Sequence, residues 1–235
     1  WWRREVEQCY DGVSTHPILR NLHKVIIRFK IPKHYLLTLI DGVEMDLTKD
    51  RYETFGDLQC YCYAVASVIG LISIEVFGYR HEETRRYAVE LGYALQLTNI
   101  IRDVKQDAEK GRIYLPLEDL RRFGYTEADL FAGKYDSRFV ALMQFETDRA
   151  RSFYRSARAS LRRDERFTMF AAEIMDAIYY RLLRKIELAY STVLTHRLPK
   201  VSRNLQVIGK LLHELLISSG TIHILSIYSL MSVMF

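Results

Sequence analysis

The stretch Leu91–Pro116, LGYALQLTNIIRDVKQDAEKGRIYLP, restricts this chain more than any other, because it sets Asn99, Asp103 and Asp107 four residues apart inside an apolar helical pattern. At about 100° of turn per residue, steps of four drift only about 40°. The three side chains therefore share a stripe about 80° wide and about 12 Å long, with Gln96 inside it. Asp is a mediocre helix former, and like charges four apart repel. Spacing alone leaves two readings open: a solvated acidic stripe with i,i+4 ion pairs, or a face that grips a cation. Ala94, Leu95, Leu97, Ile100 and Ile101 surround the carboxylates with apolar surface, which favours a face turned to an interior cavity. Oxygen-only ligands suit a hard ion such as Mg²⁺, which keeps waters and shares itself with substrate phosphates. Arg102, Lys105, Lys110 and Arg112 stand nearby as phosphate partners. The stretch reads as a diphosphate–Mg²⁺ site.

Strand-like alternation bounded by turns is missing throughout, so the sequence specifies an all-α bundle. Helices are expected over residues 1–10, behind a Thr15 cap at Pro17, and from Pro32 to a break at Asp41-Gly42. Thr54 and Asp57 form a capping box for the helix that contains YCYAVASVIGLISIEVF. Further helices are expected over 82–108, after Pro116, after Thr126, over 136–161 and over 168–195. The segment from Tyr61 to Phe77 carries one acid, Glu75, and is apolar all round, so it belongs at the centre of the fold. Its tyrosines and serines make it a weak membrane-span candidate. Tyr61, Val65, Ile69, Ile72 and Val76 form one stripe, either core or binding wall, and Gly70 permits close approach of another helix or a ligand. Asp46 and Asp50 are also four apart, but the composition of DGVEMDLTKDRY reads as a surface turn, with Glu44 and Asp46 at most at the mouth of a cavity.

At 235 residues and 49% hydrophobic, the chain buries a core as one helical domain over 1–212, followed by an apolar tail over 213–235. A net charge of +5 permits an acidic small molecule, an anionic membrane or nucleic acid, and selects none of them. Three cysteines form neither a disulfide framework nor a zinc site, which points to reduced thiols in the cytoplasm. Arg151, Arg155, Arg158 and Arg162 recur at helical spacing, as a solvated face or as a docking face for anionic lipid at the inner side of the membrane. No groove-reading motif accompanies the arginines, so no nucleic-acid partner is expected, and no dinucleotide-binding glycine motif speaks for NADPH. Leu215–Phe235 is long enough to span a membrane, but five serines and a glycine weigh against it. A docked helix or a disordered apolar tail fits equally well.

Two of these segments together resemble the squalene/phytoene synthase family of head-to-head prenyl-diphosphate condensing enzymes. Tyr61–Val76 looks like the family's first signature, and Leu91–Pro116 is similar to the second position by position. The resemblance runs loosely from residue 1 to about 212. DGVEMDL followed by RYETF, and the IEVFGY end of the central helix, are most similar to the bacterial presqualene diphosphate branch of the hopanoid pathway, with phytoene synthases sharing much of the pattern. The resemblance implies an isoprenoid-synthase-like helical bundle around a central cavity, and a prenyltransferase that joins two farnesyl diphosphates (C15) with Mg²⁺. Geranylgeranyl diphosphate (C20) is the substrate of the phytoene variant.

Carried over residue by residue, Asn99, Asp103 and Asp107 match the second aspartate-rich motif as metal ligands. Gln96, Arg102, Arg112 and Tyr114 match positions at the diphosphate end. Tyr61, Val65, Ile69 and Gly70 match the wall of the prenyl channel, with Tyr61 as the group facing the carbocation, and Tyr179 matches a tyrosine closing the pocket. The family's first aspartate-rich motif would fall before Trp1, where the sequence starts in mid-helix pattern, so the chain is expected to lack the N-terminal helices of the bundle. The competing reading is a catalytically inactive helical relative that keeps the fold as an interaction protein, peripheral to the membrane.

Overall fold

Side-chain caps start helices behind Thr54, Thr126 and Asp136, where the sequence places them. The structure, a computed structural model, describes residues 1–192; the end of the expected last helix at 195, the rest of the 1–212 domain and the tail 213–235 lie outside them. Among the described residues there is no strand, and one isolated parallel bridge joins Arg51 to Ile113. The helices are α1 (Trp2–Tyr10), α2 (Pro17–Phe29), α3 (Lys33–Thr48), α4 (Phe55–Cys62), α5 (Val68–Phe77), α6 (Glu83–Glu109), α7 (Leu117–Arg122), α8 (Glu127–Phe131), α9 (Ser137–Ser160) and α10 (Phe170–Thr192). Thr54–Asp57 and Thr126–Asp129 both form complete capping boxes, and Asp136 accepts from the backbone of Arg138 and Phe139 to start α9. α2 departs from expectation: its N-cap is His16, with no side-chain cap, and Pro17 occupies the first turn.

Among the described residues, Cα packing separates Trp1–Ile40 from the residues that follow Ile40. In the first unit α1 lies on α2, where the Tyr10 hydroxyl donates to the Ile31 carbonyl at 2.9 Å and the Cys9 thiol to the Leu19 carbonyl at 3.2 Å. The second unit is organised on α6, which is about 40 Å long. Tyr87, Leu91, Ala94, Leu97, Ile100, Ile101 and Val104 are buried along it, each large apolar side chain stabilising by roughly 1.5–3 kcal/mol. α9 covers one side of α6 and α10 joins it, with the Tyr154 and Thr98 hydroxyls 3.0 Å apart and the Tyr190 hydroxyl 2.7 Å from the Ile101 carbonyl.

The helix expected behind the Thr54–Asp57 box begins at Phe55 and is one continuous helical rod to Phe77, interrupted by a π turn at Tyr63–Ser67. Among the described residues it is the one helical run long and apolar enough to cross a membrane, but half of that window is buried inside the protein, as in a core helix. A π turn inside an α-helix often accompanies a functional site. Here it lies against α6, where Ser67 Oγ donates to the Val89 carbonyl at 2.8 Å.

Candidate active site

α6 stops where the site begins. Lys110 caps it, Gly111 turns the chain at φ 78°, and residues 112–118 run back beside 50–53. Backbone bonds hold that return: Ile113 N–H to Asp50, Leu117 N–H to Tyr52 and Glu118 N–H to Glu53, at 2.9–3.0 Å. Arg51 adds a guanidinium bond to the Gly111 carbonyl at 2.6 Å. The short ladder fixes Arg112 and Tyr114, which no helix carries, against the end of α3.

On α6, Asn99, Asp103 and Asp107 are all half-buried, as is Gln96. Arg102 grips Asp103 in a two-pronged ion pair, with Nε to Oδ1 at 2.8 Å and a second bond from Nη2 to Oδ2. That bond raises the Arg102 pKa further. Asn99 Nδ2 donates weakly to Gln96 Oε1 at 3.4 Å, while Asn99 Oδ1 is buried with no hydrogen-bond partner. Asp107 has its pKa pushed up to about 6, first by burial and then by the charge of Asp103, with Lys110 and Arg112 opposing and Asp46 adding to the rise. Tyr179 of α10 is pushed up by burial, with the charge of Arg102 opposing, which puts it beside the same group.

Facing these is a second cluster. The Tyr61 hydroxyl donates to Asp46 Oδ1 at 3.2 Å, and the Tyr114 hydroxyl donates to the same oxygen. Arg112 closes the group, with Nη2 on the Asp46 carbonyl at 3.1 Å, Nη1 on the Tyr114 hydroxyl at 3.2 Å and Nη1 3.5 Å from Asp46 Oδ2. Tyr52, Tyr61 and Tyr114 form an aromatic triangle with ring centroids 5.5–5.8 Å apart. Tyr61 is 4% exposed, and burial first, then Tyr114 and Asp46, push its pKa far up, so it stays a neutral phenol. Burial and the Asp46 bond push Tyr114 up to about 12. The Tyr52 hydroxyl is buried without a partner.

Asp46 corrects the sequence reading. The composition reads Gly42 as a break and Asp46 as part of a surface turn at the mouth of a cavity, yet α3 continues to Thr48. Gly42 is a packing glycine: a Cβ there would sit 2.7 Å from Val65 Cγ1 and 2.8 Å from Ala64 Cβ. Its absence of a side chain lets α3 lie on the π turn and carries Asp46, one helical turn later, to Tyr61. The i,i+4 interval from Gly42 to Asp46 was the signal available in the sequence. Nothing in the local pattern of Tyr52 marks it for the aromatic triangle.

The apolar wall residues separate along the rod. Val65 is buried against Gly42, Ile69 is half-buried, and Gly70 faces α6, where a Cβ would meet the Ala88 carbonyl oxygen at 2.7 Å. Gly70 thus lies at the level of Ala88, about 22 Å along α6 from Asp103.

Among the described residues no three His, Cys, Asp or Glu side chains converge as a metal site. Asn99, Asp103 and Asp107 supply an amide oxygen and two carboxylates instead. The unpartnered Asn99 oxygen and the mutual repulsion of Asp103 and Asp107 fit a hard divalent cation, which would satisfy the one and relieve the other. Most arginines of the stripe that reads as a solvated or a lipid-docking face are held by acids. Arg151 pairs with Asp148 and Glu187, Arg158 holds Asp176 in a two-pronged pair at 2.6–2.9 Å, and Arg162 pairs with Asp164.

The family model for squalene/phytoene synthase matches residues 1–204. The chain belongs to the squalene/phytoene synthase family. Among curated relatives, a phytoene synthase of Arthrospira platensis is 40% identical over 202 residues, which cover 79% of this chain and 64% of that protein. The chloroplastic phytoene synthase 1 of Arabidopsis thaliana is 34% identical over 195 residues, covering 79% of this chain and 46% of that one. The chain thus spans about half to two-thirds of the length of these relatives. Of solved structures, the squalene synthase HpnC from Alicyclobacillus acidocaldarius superposes with a TM-score of 0.74 at 26% identity, covering 80% of this chain and 72% of that one. A dehydrosqualene synthase in complex with ligand gives a TM-score of 0.68 at 28% identity, over 93% and 77% of the two chains. The all-α isoprenoid-synthase fold expected from sequence is the fold observed.

Proposed function

We propose that this chain is the diphosphate-holding part of a prenyltransferase that condenses two prenyl diphosphates head to head, with geranylgeranyl diphosphate (C20) as the substrate and phytoene formation as the reaction. The observation that carries the reading is the end of the Asn99–Asp103–Asp107 stripe, where Asp107 feels the charges of Arg112 and Asp46 and so adjoins the cluster of Asp46, Arg112, Tyr114 and Tyr61. The C20 assignment rests on the curated relatives, which are phytoene synthases. The C15 squalene-type reaction, with presqualene diphosphate as its intermediate and hopanoids downstream, is the second reading, favoured by the solved neighbours.

Asn99, Asp103 and Asp107 would hold Mg²⁺, which when bound supplies positive charge to a departing diphosphate. Arg112 presents fixed charge to the same anion, and Arg102 stays charged beside Asp103. Tyr61, Tyr52 and Tyr114 supply π faces and a phenol oxygen, able to stabilise a carbocation where Val65 and Ile69 exclude water. Asp46 holds the Tyr61 and Tyr114 hydroxyls in place, and a neutral Tyr61 does not compete as a nucleophile. Free cysteines support a reducing, cytoplasmic setting.

The test compares geranylgeranyl and farnesyl diphosphate as Mg²⁺-dependent ligands, followed by product chromatography with radiolabelled substrate. Tighter binding of the C20 compound, and a C40 product from it, are expected. A preference for the C15 compound would return the reading to the squalene type, and binding of neither would overturn both.

A further inference from the structure

We propose that Arg149 of α9 is a positioning residue for the site, clamping the two chain segments whose pairing holds Arg112 and Tyr114 on Asp46. That those residues face a diphosphate rests on the prenyl-transfer reading; the clamp itself does not.

The pairing needs outside support. Residues 112–118 meet 50–53 through backbone bonds from Ile113, Leu117 and Glu118. Two chain segments paired alone are marginal in water. Arg112 and Tyr114 sit in this pairing outside any helix, yet their side chains keep their bonds to Asp46.

The first turn of α7 supplies one half of the brace. Leu117-Glu118-Asp119 puts two acids where a helix start welcomes negative charge, and the N-cap, Pro116, offers no side-chain cap. Both carboxylates nevertheless bond elsewhere. Glu118 accepts from the Phe55 N–H at 2.6 Å, one of the donors that the start of α4 leaves free. Asp119, 3% exposed, accepts from Arg149 Nη1 at 2.7 Å.

The same guanidinium reaches the other segment. It lies over the Phe55 ring, 4.1 Å from the centroid, and over Phe145 at 4.7 Å. Phe55, just past one paired segment, and Asp119, just past the other, thus meet on one side chain. Glu146, one turn earlier on α9 and buried, fixes Arg149 Nη1 with both carboxyl oxygens, at 2.8 and 2.9 Å. Burial works against the charge on Arg149, but the bonds and charges of Asp119 and Glu146 outweigh it and raise its pKa further. A permanently charged, planar group suits this brace, because its edge pairs with one segment while its face stacks on the other.

Amide exchange and ligand titration of the 235-residue chain test the clamp separately from the prenyl-transfer reading. In Arg149→Met, with no ligand present, the amides of Ile113, Leu117 and Glu118 should exchange at least about tenfold faster relative to the buried amides of α6. Binding of geranylgeranyl diphosphate with Mg²⁺ should weaken about tenfold, and in an Arg112→Ala background the same substitution should matter by less than about twofold. Should Arg149→Met not fold, Asp119→Asn and Phe55→Leu each loosen one side of the clamp and carry the same comparison. Exchange at the paired segments that rises only in step with α6 would overturn the proposal. So would a loss of binding undiminished in the Arg112→Ala background. Selectively faster exchange together with no diphosphate binding by the parent chain would support the clamp and sink the prenyl-transfer reading.

Discussion

Tyr61 and Asp46 are joined by a 3.2 Å hydrogen bond between α4 and the last turns of α3. The bond makes one carboxylate the shared acceptor of two tyrosine hydroxyls and the partner of Arg112. Asp46→Ala would leave all three donors without that acceptor. Its unfolding free energy is expected to fall by about 1–3 kcal/mol, and prenyl-diphosphate binding should weaken with it. Urea unfolding and calorimetric titration check the two effects; a variant unchanged in both would remove Asp46 from the site.

Tyr61→Phe keeps the ring and deletes the oxygen. Binding of the diphosphate should stay within about twofold, while turnover falls by about 100-fold if the phenol oxygen stabilises charge in the reaction. Steady-state kinetics separates the two, and equal loss in binding and turnover would assign Tyr61 to packing.

Gly70→Ala tests the close approach of α5 to α6. A methyl group would meet the backbone carbonyl of Ala88 at 2.7 Å, so the helices must move apart. A loss of about 1–3 kcal/mol is expected in denaturant unfolding, without rescue by Ala88→Gly, since the obstacle is main chain. An unchanged midpoint would leave Gly70 free to serve as channel wall.

Glu146 gives a pH signature away from the site. It is 1% exposed and shares Arg149 with Asp119, whose carboxylate lies 2.7 Å from that guanidinium. Burial, and to a lesser degree Asp119, raise its pKa above the ordinary 4.5, against the pull of Arg149. The folded state therefore binds a proton more tightly than the unfolded chain does. The resulting stability is complete below about pH 4.5 and is lost as pH rises through the raised value. Unfolding midpoints taken at about pH 5 and about pH 8 should fall with pH in the parent, and Glu146→Gln should flatten the difference. An identical slope in both proteins would contradict the assignment.

Much of this was legible in the chain. Capping boxes at Thr54 and Thr126, the Asp136 cap and the apolar period of α6 act through neighbours three or four residues away, and such signals survive in one dimension. The oxygen stripe Asn99–Asp103–Asp107 was readable for the same reason, as was Arg102 beside it. Asp46 was not, because its role depends on Gly42 meeting Val65 and Ala64, residues more than twenty positions on. A glycine that ends a helix and one that lets two helices touch look alike until the partner is known. The partners of the α9 arginines are hidden in the same way: their acids, Glu187 and Asp176, come from α10.

The central claim is that Asn99, Asp103 and Asp107 hold a divalent cation for a prenyl diphosphate. Calorimetric titration of the 235-residue chain with a prenyl diphosphate, with and without Mg²⁺, tests it most directly. Saturable binding that requires Mg²⁺ and weakens at least about tenfold in Asp103→Ala is expected. Binding indifferent both to Mg²⁺ and to Asp103→Ala would contradict the account.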